Sequence, residues 1–288
     1  FAQSMVRAYK IAMTPPYGPV AISLDAGLQQ EPIGAHGSGL YIPKLTMPSP
    51  PAGEMGAVKD AAKMLLAAEN PVIVADRAAR TANGVRLLVE LAELLQANVV
   101  DQGGRMNFPN THYLARPAAA TAQADVILGL ELSDFWAVVN SYTDNGEHGI
   151  GFNSPKAKAG VKLISINSVE LLTKANYQDF QRFQSVDISM PADAEATLPA
   201  LIEAIKSQMT SERRAQNDQR AEKAKKAFAD IRARELAAAA VAWDASPIST
   251  ARLSMEIYNA VKDEDWSLVA SEGNVSNWPN RLWKMERS

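Results

Sequence analysis

Between Gly56 and Gln208, short and continuously apolar runs alternate with amphipathic stretches, and this alternation leaves few folds open. Pro71 to Ala75 reads Pro-Val-Ile-Val-Ala, with no polar position, as a strand covered on both faces does. Asn98 to Asp101, Ala124 to Leu130, Val161 to Asn167 and Gln184 to Met190 read as further strands. Val58 to Glu69, Thr81 to Leu95 and Ala194 to Gln208 read as helices, the second with apolar residues at Val85, Leu88, Val89 and Leu95. Strands separated by helices or long crossovers do not pair as hairpins. They join through right-handed crossovers into one parallel sheet with helices on its faces.

The expected fold class is therefore α/β: a central Rossmann-like domain with a parallel sheet of five or six strands, flanked by partial α/β domains. On the amino-terminal side, Phe1 to Met13 reads as a helix, Pro15-Pro16-Tyr17-Gly18 as a turn and Pro19 to Leu24 as a short strand. Three glycines between Gly34 and Gly39 and a proline-rich stretch from Pro43 to Pro51 mark a boundary near residue 45. Beyond the central domain (46–209), Thr210 to Ala242 mixes acids with bases, Glu222/Lys226 and Asp230/Arg234 lying at i,i+4 spacing. That pattern predicts a solvated connecting helix over 210–245. From Ser246 a third segment begins, with a helix from Ser249 to Val261, a strand from Ser267 to Ala270 and a turn from Ser271 to Asn274.

Composition removes several function classes. Lys and Arg number 29 against 32 Asp and Glu, a formal net charge of -3, which argues against nucleic acid as a partner. The absence of cysteine excludes disulfides, Cys-based zinc sites, iron–sulfur clusters and thiol nucleophiles. The three histidines, His36, His112 and His148, are scattered, which disfavours a multi-histidine metal site. No apolar run is long enough to span a membrane, and no basic segment precedes an apolar one as in a signal peptide. A soluble cytoplasmic protein is expected, and one strand with half a helix at the carboxyl end reads as part of a domain. The simplest expectation is a piece of a longer chain.

Four stretches follow strands, where ligands bind in open α/β sheets. Asp76-Arg77-Ala78-Ala79-Arg80 precedes a helix and suits an anion, but a dinucleotide loop places glycines here and this one has none before Gly84. A salt-bridged structural turn is the favoured reading. In the next loop, Arg105, Asn107 and His112 face either a ligand or a neighbouring domain, a lone histidine in such a loop being more often structural. Glu131, Ser133, Asp134 and Trp136 combine a pair of carboxylates suited to acid–base work with a position near a helix start, and capping is favoured. Glu272-Gly273-Asn274-Val275-Ser276 offers amides and short polar side chains at a helix start, a cradle suited to a diphosphate.

Several of these segments together resemble the thiamine diphosphate-dependent enzymes. Pro15 to Val20 with Ala21-Ile-Ser-Leu24 resembles the closing strand of their pyrimidine-binding domain, which places 1–45 at that domain's carboxyl end. Asn70 to Ala75, Leu87 to Leu95, Val99-Val100, Phe108-Pro-Asn-Thr-His112, Ala124 to Gly129 and Leu163 to Asn167 are similar to their central domain, in the same order. Ser267 to Trp278 resembles the first strand and turn of their diphosphate-binding domain, placing its start in 246–288. The acetolactate synthase-like branch is the nearest in pattern, the benzoylformate decarboxylase-like enzymes next.

The resemblance implies a 2-oxo acid substrate, thiamine diphosphate and Mg2+ as cofactors, a homodimer or homotetramer, and lyase or transferase chemistry. It implies a glutamate that activates the cofactor, expected upstream of Phe1, and a Gly-Asp-Gly metal motif with a later Asn pair, expected downstream of Ser288. No catalytic residue and no metal ligand is thus assigned within the chain. What carries over is the turn Gly273, Asn274, Val275 and Ser276 as cofactor-binding residues. Some relatives place Gln and His where Asn274 and Val275 stand. FAD, which some acetolactate synthase relatives hold, is not expected, because Asp76, Arg77 and two alanines stand where those relatives have glycines. The competing class is a non-catalytic nucleotide-binding module of the electron-transfer flavoprotein kind, since a shared fold does not fix function.

Overall fold

The computed structural model describes residues 1–39, 41–103, 105–144, 151–172, 182–269 and 277–286. Its amino-terminal part holds α1 (Ala2–Ala12) and α2 (Ala26–Gln30). The central part runs α3 (Met55–Ala67), β1 (Pro71–Ala75), α4 (Ala82–Leu95), β2 (Asn98–Asp101), β3 (Ala115–Arg116), β4 (Val126–Leu130), α5 (Phe135–Val139), β5 (Asn140–Asp144), β6 (Gly151–Pro155), β7 (Lys162–Ile166), β8 (Ile188–Met190) and α6 (Ala194–Gln208). The long α7 (Ser211–Ala240), α8 (Thr250–Val261) and α9 (Trp278–Leu282) complete the described elements.

Six strands form one sheet in the order β3-β2-β1-β4-β7-β8, every neighbouring pair parallel. Strand order reverses between β1 and β4, so the carboxyl ends of these two strands open a crevice of the kind where α/β sheets bind ligands. Side chains alternate across the sheet as the two-residue period demands. Ile73, Ala75, Val126, Leu128, Leu130, Ile164 and Ile166 pack in the core shared with α3, α4 and α6. Val72, Val74, Ile127 and Leu163 pack on the other face with Leu132, Val138 and Val139. Gly129, inside β4, is required there: a Cβ would stand 2.5 Å from the Phe135 ring and 2.6 Å from Leu132.

Thr81 caps α4 by accepting from Gly84 N at 3.1 Å, and Asp193 caps α6 by accepting from Ala196 N at 2.8 Å. The expected helices and central strands all form, with bounds shifted by a few residues at most ends. The edge strand β3, the helix α2 capped by Asp25 and the antiparallel pair β5–β6 had no counterpart in the sequence reading, whereas α5 starts where a helix start was expected.

Two expected strands do not form. Residues 19–24 are extended but unpaired, and so are 267–269, while Ala270 lies outside the described residues. Their apolar side chains stay in contact with solvent, Leu24 at 47% and Val269 at 94% exposure. A strand needs a neighbour to complete its ladder, and among the described residues neither stretch has one.

The connecting helix is more than a solvated spacer. Arg220 donates to Leu95 O at 2.7 Å and Ala68 O at 3.0 Å, Arg213 to Ala68 O at 3.1 Å, and Asn217 to Leu94 O at 2.9 Å. These carbonyls belong to the carboxyl ends of α3 and α4, which have no intrahelical donor of their own. Arg116, from β3, reaches back to Ala224 O at 2.8 Å. α7 is thereby strapped along one flank of the sheet domain.

Candidate functional site

The crevice between β1 and β4 is built from four loops, and most of its hydrogen-bonding capacity is turned inward. After β1, Asp76 is buried and accepts from Ser133 N at 3.1 Å. The amides of Ala78 and Ala79 donate to Asn107 Oδ1 at 3.0 and 3.1 Å. The next amide, Arg80 N, donates to Glu195 Oε2 at 2.9 Å, and the Thr81 hydroxyl donates to Glu195 Oε1. These amides line the loop between β1 and the first turn of α4, the stretch over which a dinucleotide phosphate would approach the backbone. Here an asparagine and a glutamate from the chain itself hold them. Gly84 belongs to the same arrangement, since a Cβ on it would overlap the Glu195 carboxylate.

Asn107 is fully buried and ties the first two loops together. Its amide nitrogen donates to Asp76 O, to Asp101 Oδ1 at 3.1 Å and to Arg105 O at 3.1 Å. Asp101 accepts in turn from the backbone of Gly103 at 2.9 Å, Asn107 at 2.7 Å and Phe108 at 3.2 Å. Burial raises the Asp101 carboxyl above the usual range, and these hydrogen bonds oppose the rise. His112 has a structural place: its ring stacks on Tyr113, Nδ1 accepts from Leu114 N at 3.2 Å, and Nε2 lies 3.2 Å from Glu93.

Glu131 ends β4 with φ of 50°, in the left-handed region. The carboxylate is buried; Oε1 accepts from Ala194 N at 2.8 Å, and Oε2 accepts from Ser168 N at 2.9 Å and Ser168 Oγ at 2.7 Å. One side chain thus satisfies the first amide of α6 and the start of the turn after β7. Burial pushes its carboxyl upward, again against its hydrogen bonds. Asp134 is the cap foreseen for a helix start, accepting from Ala137 N at 3.0 Å.

Arg80 pairs with Asp193 and lies 3.9 Å from Glu131, under the Tyr17 ring at 5.2 Å. The salt-bridged turn is therefore present, but not as a pairing of Asp76 with the arginines beside it. Asp76 faces the loop after β4, whereas Arg80, at the start of α4, faces the start of α6. Glu195, Asp193, Ser168 and Tyr17 were not singled out in the sequence. Asp193 carried a readable signal, a capping residue directly before a helical pattern, but its second partner was not visible there.

Arg77, Arg80 and Arg105 border the open space that remains, a cavity of about 280 Å³ closed by Pro16, Tyr17 and Ser168. A larger cavity of about 410 Å³ lies at the amino ends of β7 and β8, between Lys158, Gln184 and Asp187, away from the end of a parallel sheet where ligands bind. Among the described residues no group of three His, Asp or Glu side chains is placed to hold a metal, and no helix is long and apolar enough to cross a membrane. The turn Gly273, Asn274, Val275 and Ser276 lies outside the described residues. Its carboxyl-side neighbour is anchored on the central domain: Asn110 donates to Asn280 O at 3.0 Å and Trp283 O at 2.8 Å, and accepts from Met285 N at 3.0 Å.

A family model described as the central domain of thiamine pyrophosphate enzymes matches residues 58–201. Among solved structures, the chain is similar to a Mycobacterium smegmatis protein described as a thiamin diphosphate-dependent enzyme. Identity is 22% over 71% of this chain and 38% of that one, with a TM-score of 0.52. It is also similar to benzoylformate decarboxylase from Polynucleobacter necessarius, at 19% identity over 70% of this chain and 36% of that one, with a TM-score of 0.51. At these identities the likeness concerns the fold. The chain spans well under half the length of either structure.

Proposed function

Since the chain belongs to the thiamine pyrophosphate (thiamine diphosphate) enzymes through its central domain, we propose that it is the middle portion of an enzyme that decarboxylates or carboligates 2-oxo acids. The observation that carries this reading is the family match over 58–201, which coincides with the six-stranded parallel sheet and its helices. On this reading residues 1–45 end a pyrimidine-binding domain, 210–245 connect, and 246–288 open a diphosphate-binding domain whose turn Gly273, Asn274, Val275 and Ser276 meets the cofactor. The anchoring of 277–286 by Asn110 supports a fixed place for that segment beside the central domain. Thiamine diphosphate, when bound, supplies the electron sink for cleavage next to a carbonyl. The activating glutamate and the Mg2+ ligands belong to parts of the enzyme outside these 288 residues. Acetolactate synthase-like carboligation is the preferred activity within the class, in a cytoplasmic homodimer or homotetramer.

The central domain's own share is scaffolding without FAD. The engagement of the loop amides by Asn107 and Glu195 supports this, because a dinucleotide would have to displace both side chains. The same observation weighs against a nucleotide-binding module as the competing reading.

The enzyme carrying these residues, loaded with thiamine diphosphate and Mg2+, is expected to release CO2 from pyruvate or benzoylformate. The 288-residue chain alone should be slower by about a thousandfold or more, lacking groups each worth several kcal/mol. An enzyme inert toward both acids would overturn the 2-oxo acid reading, and stoichiometric flavin released on denaturation would overturn the FAD-free one.

A further inference from the structure

Three guanidinium groups border the cavity at the carboxyl ends of β1, β2 and β4, and they are not equivalent. Arg80 is largely buried and committed to Asp193 and Glu131. Arg77 and Arg105 are exposed and have no side-chain partner among the described residues. Glu131 is the single carboxylate among the lining residues, and both of its oxygens already accept hydrogen bonds from Ala194 and Ser168. Asp193 and Glu131 together answer Arg80, so the positive charge left facing the cavity is that of Arg77 and Arg105, a formal excess of one once both acids are counted. Two guanidinium groups without a counter-ion on the rim of one small space attract an anion.

The geometry also limits what kind of anion fits. The loop amides of Ala78, Ala79 and Arg80 are held by Asn107 and Glu195, so the side-chain donors left at the cavity are the guanidinium forks of Arg77 and Arg105. Such forks match the planar oxygens of a carboxylate or the face of a phosphate, two hydrogen bonds at a time. A volume of about 280 Å³ stands at the lower edge of small-molecule sites. Tyr17, held over Arg80 at 5.2 Å, forms the wall from the amino-terminal segment, so the cavity needs that segment to be complete.

We propose that this cavity is a binding site for a small oxyanion, a carboxylate or phosphate group on a compact molecule, gripped by Arg77 and Arg105 with Arg80 fixed beside them. The site uses none of residues 273–276 and does not depend on the family's chemistry.

Calorimetric titration of the 288-residue chain with pyruvate and with inorganic phosphate, at constant ionic strength, tests this. The expected result is a saturable isotherm for at least one of them, and the tighter ligand identifies the source as carboxylate or phosphate. Arg77→Gln/Arg105→Gln should weaken binding at least about tenfold, the scale of one lost charge-assisted contact. Arg214→Gln/Lys223→Gln, an equal charge change on the exposed side of α7, should leave it unaltered. The side chains of Arg77 and Arg105 have no partner among the described residues, so both double variants should keep the parent circular dichroism spectrum. No saturation by either anion up to about 10 mM, where even a millimolar site is mostly filled, would overturn the proposal. Equal binding by the arginine variant would do the same.

Discussion

Replacing Glu131 by alanine should lower the stability of the chain by about 3–5 kcal/mol, a large share of what a domain of this size possesses. The substitution leaves Ala194 N, Ser168 N and Ser168 Oγ without their acceptor in a buried place, and each orphaned donor costs about 1–3 kcal/mol. It also removes one of the two acids that face Arg80. Glu131→Gly separates backbone from side chain. Glycine tolerates the φ of 50° and recovers about 1 kcal/mol of strain, yet it should still be strongly destabilised because the donors stay orphaned. Urea unfolding followed by circular dichroism reads both variants, and a loss under about 1 kcal/mol for the alanine would contradict the role.

Glu131 carries a pH signature as well. Burial raises its carboxyl in the folded state, so between the unfolded and folded values the folded chain binds more protons than the unfolded chain. In that window the group's contribution to stability falls as pH rises, and the full penalty is present above it. Glu131→Gln should remove this downward component from the stability–pH curve.

Asn107→Ala should cost a similar amount, about 3–5 kcal/mol, for a different reason. The side chain joins the loop after β1 to the loop after β2, accepting from Ala78 N and Ala79 N while donating to Asp76 O. Alanine strands all three groups away from water. Asn107→Asp keeps an acceptor for the two amides but exchanges the donor for a carboxylate beside Asp101, and buried like charges repel. It should therefore be no more stable than the alanine variant at neutral pH and should recover on acidification, when a proton can sit between the two acids. An aspartate variant as stable as the parent at pH 7 would show that the amide donor is dispensable.

The central sheet was legible because its strands are apolar without interruption and its helices are periodic. Pro71–Ala75, Asn98–Asp101 and Ala194–Gln208 form with the bounds read from their residues. The strands expected at 19–24 and 267–270 carry the same local pattern, but a local pattern cannot report whether a neighbour is present. The hairpin β5–β6 was hidden for the opposite reason: Asn140-Ser-Tyr-Thr-Asp144 has no apolar alternation to announce a strand. At the crevice, Ala78 and Ala79 stand where a dinucleotide loop places glycines, and their amides are held by Asn107. The acceptor of the next amide, Arg80 N, is Glu195 from 115 positions away, set by tertiary packing that no spacing in the sequence reveals. Asn107 and His112 read as possible ligand contacts, yet their hydrogen bonds are spent within the fold, since a polar residue in a strand-end loop has the same signature in either role.

The family assignment is tested most directly by the cofactor itself. Enzyme containing these 288 residues, purified after loading with thiamine diphosphate and Mg2+ and freed of unbound cofactor, would be acid-denatured and the supernatant oxidised to thiochrome. Close to one thiochrome equivalent per chain is expected, falling severalfold when Gly273 is replaced by a bulky residue that obstructs the approach of the diphosphate to the turn. A supernatant without thiochrome, from an enzyme that is folded and has been exposed to saturating cofactor, would contradict the assignment.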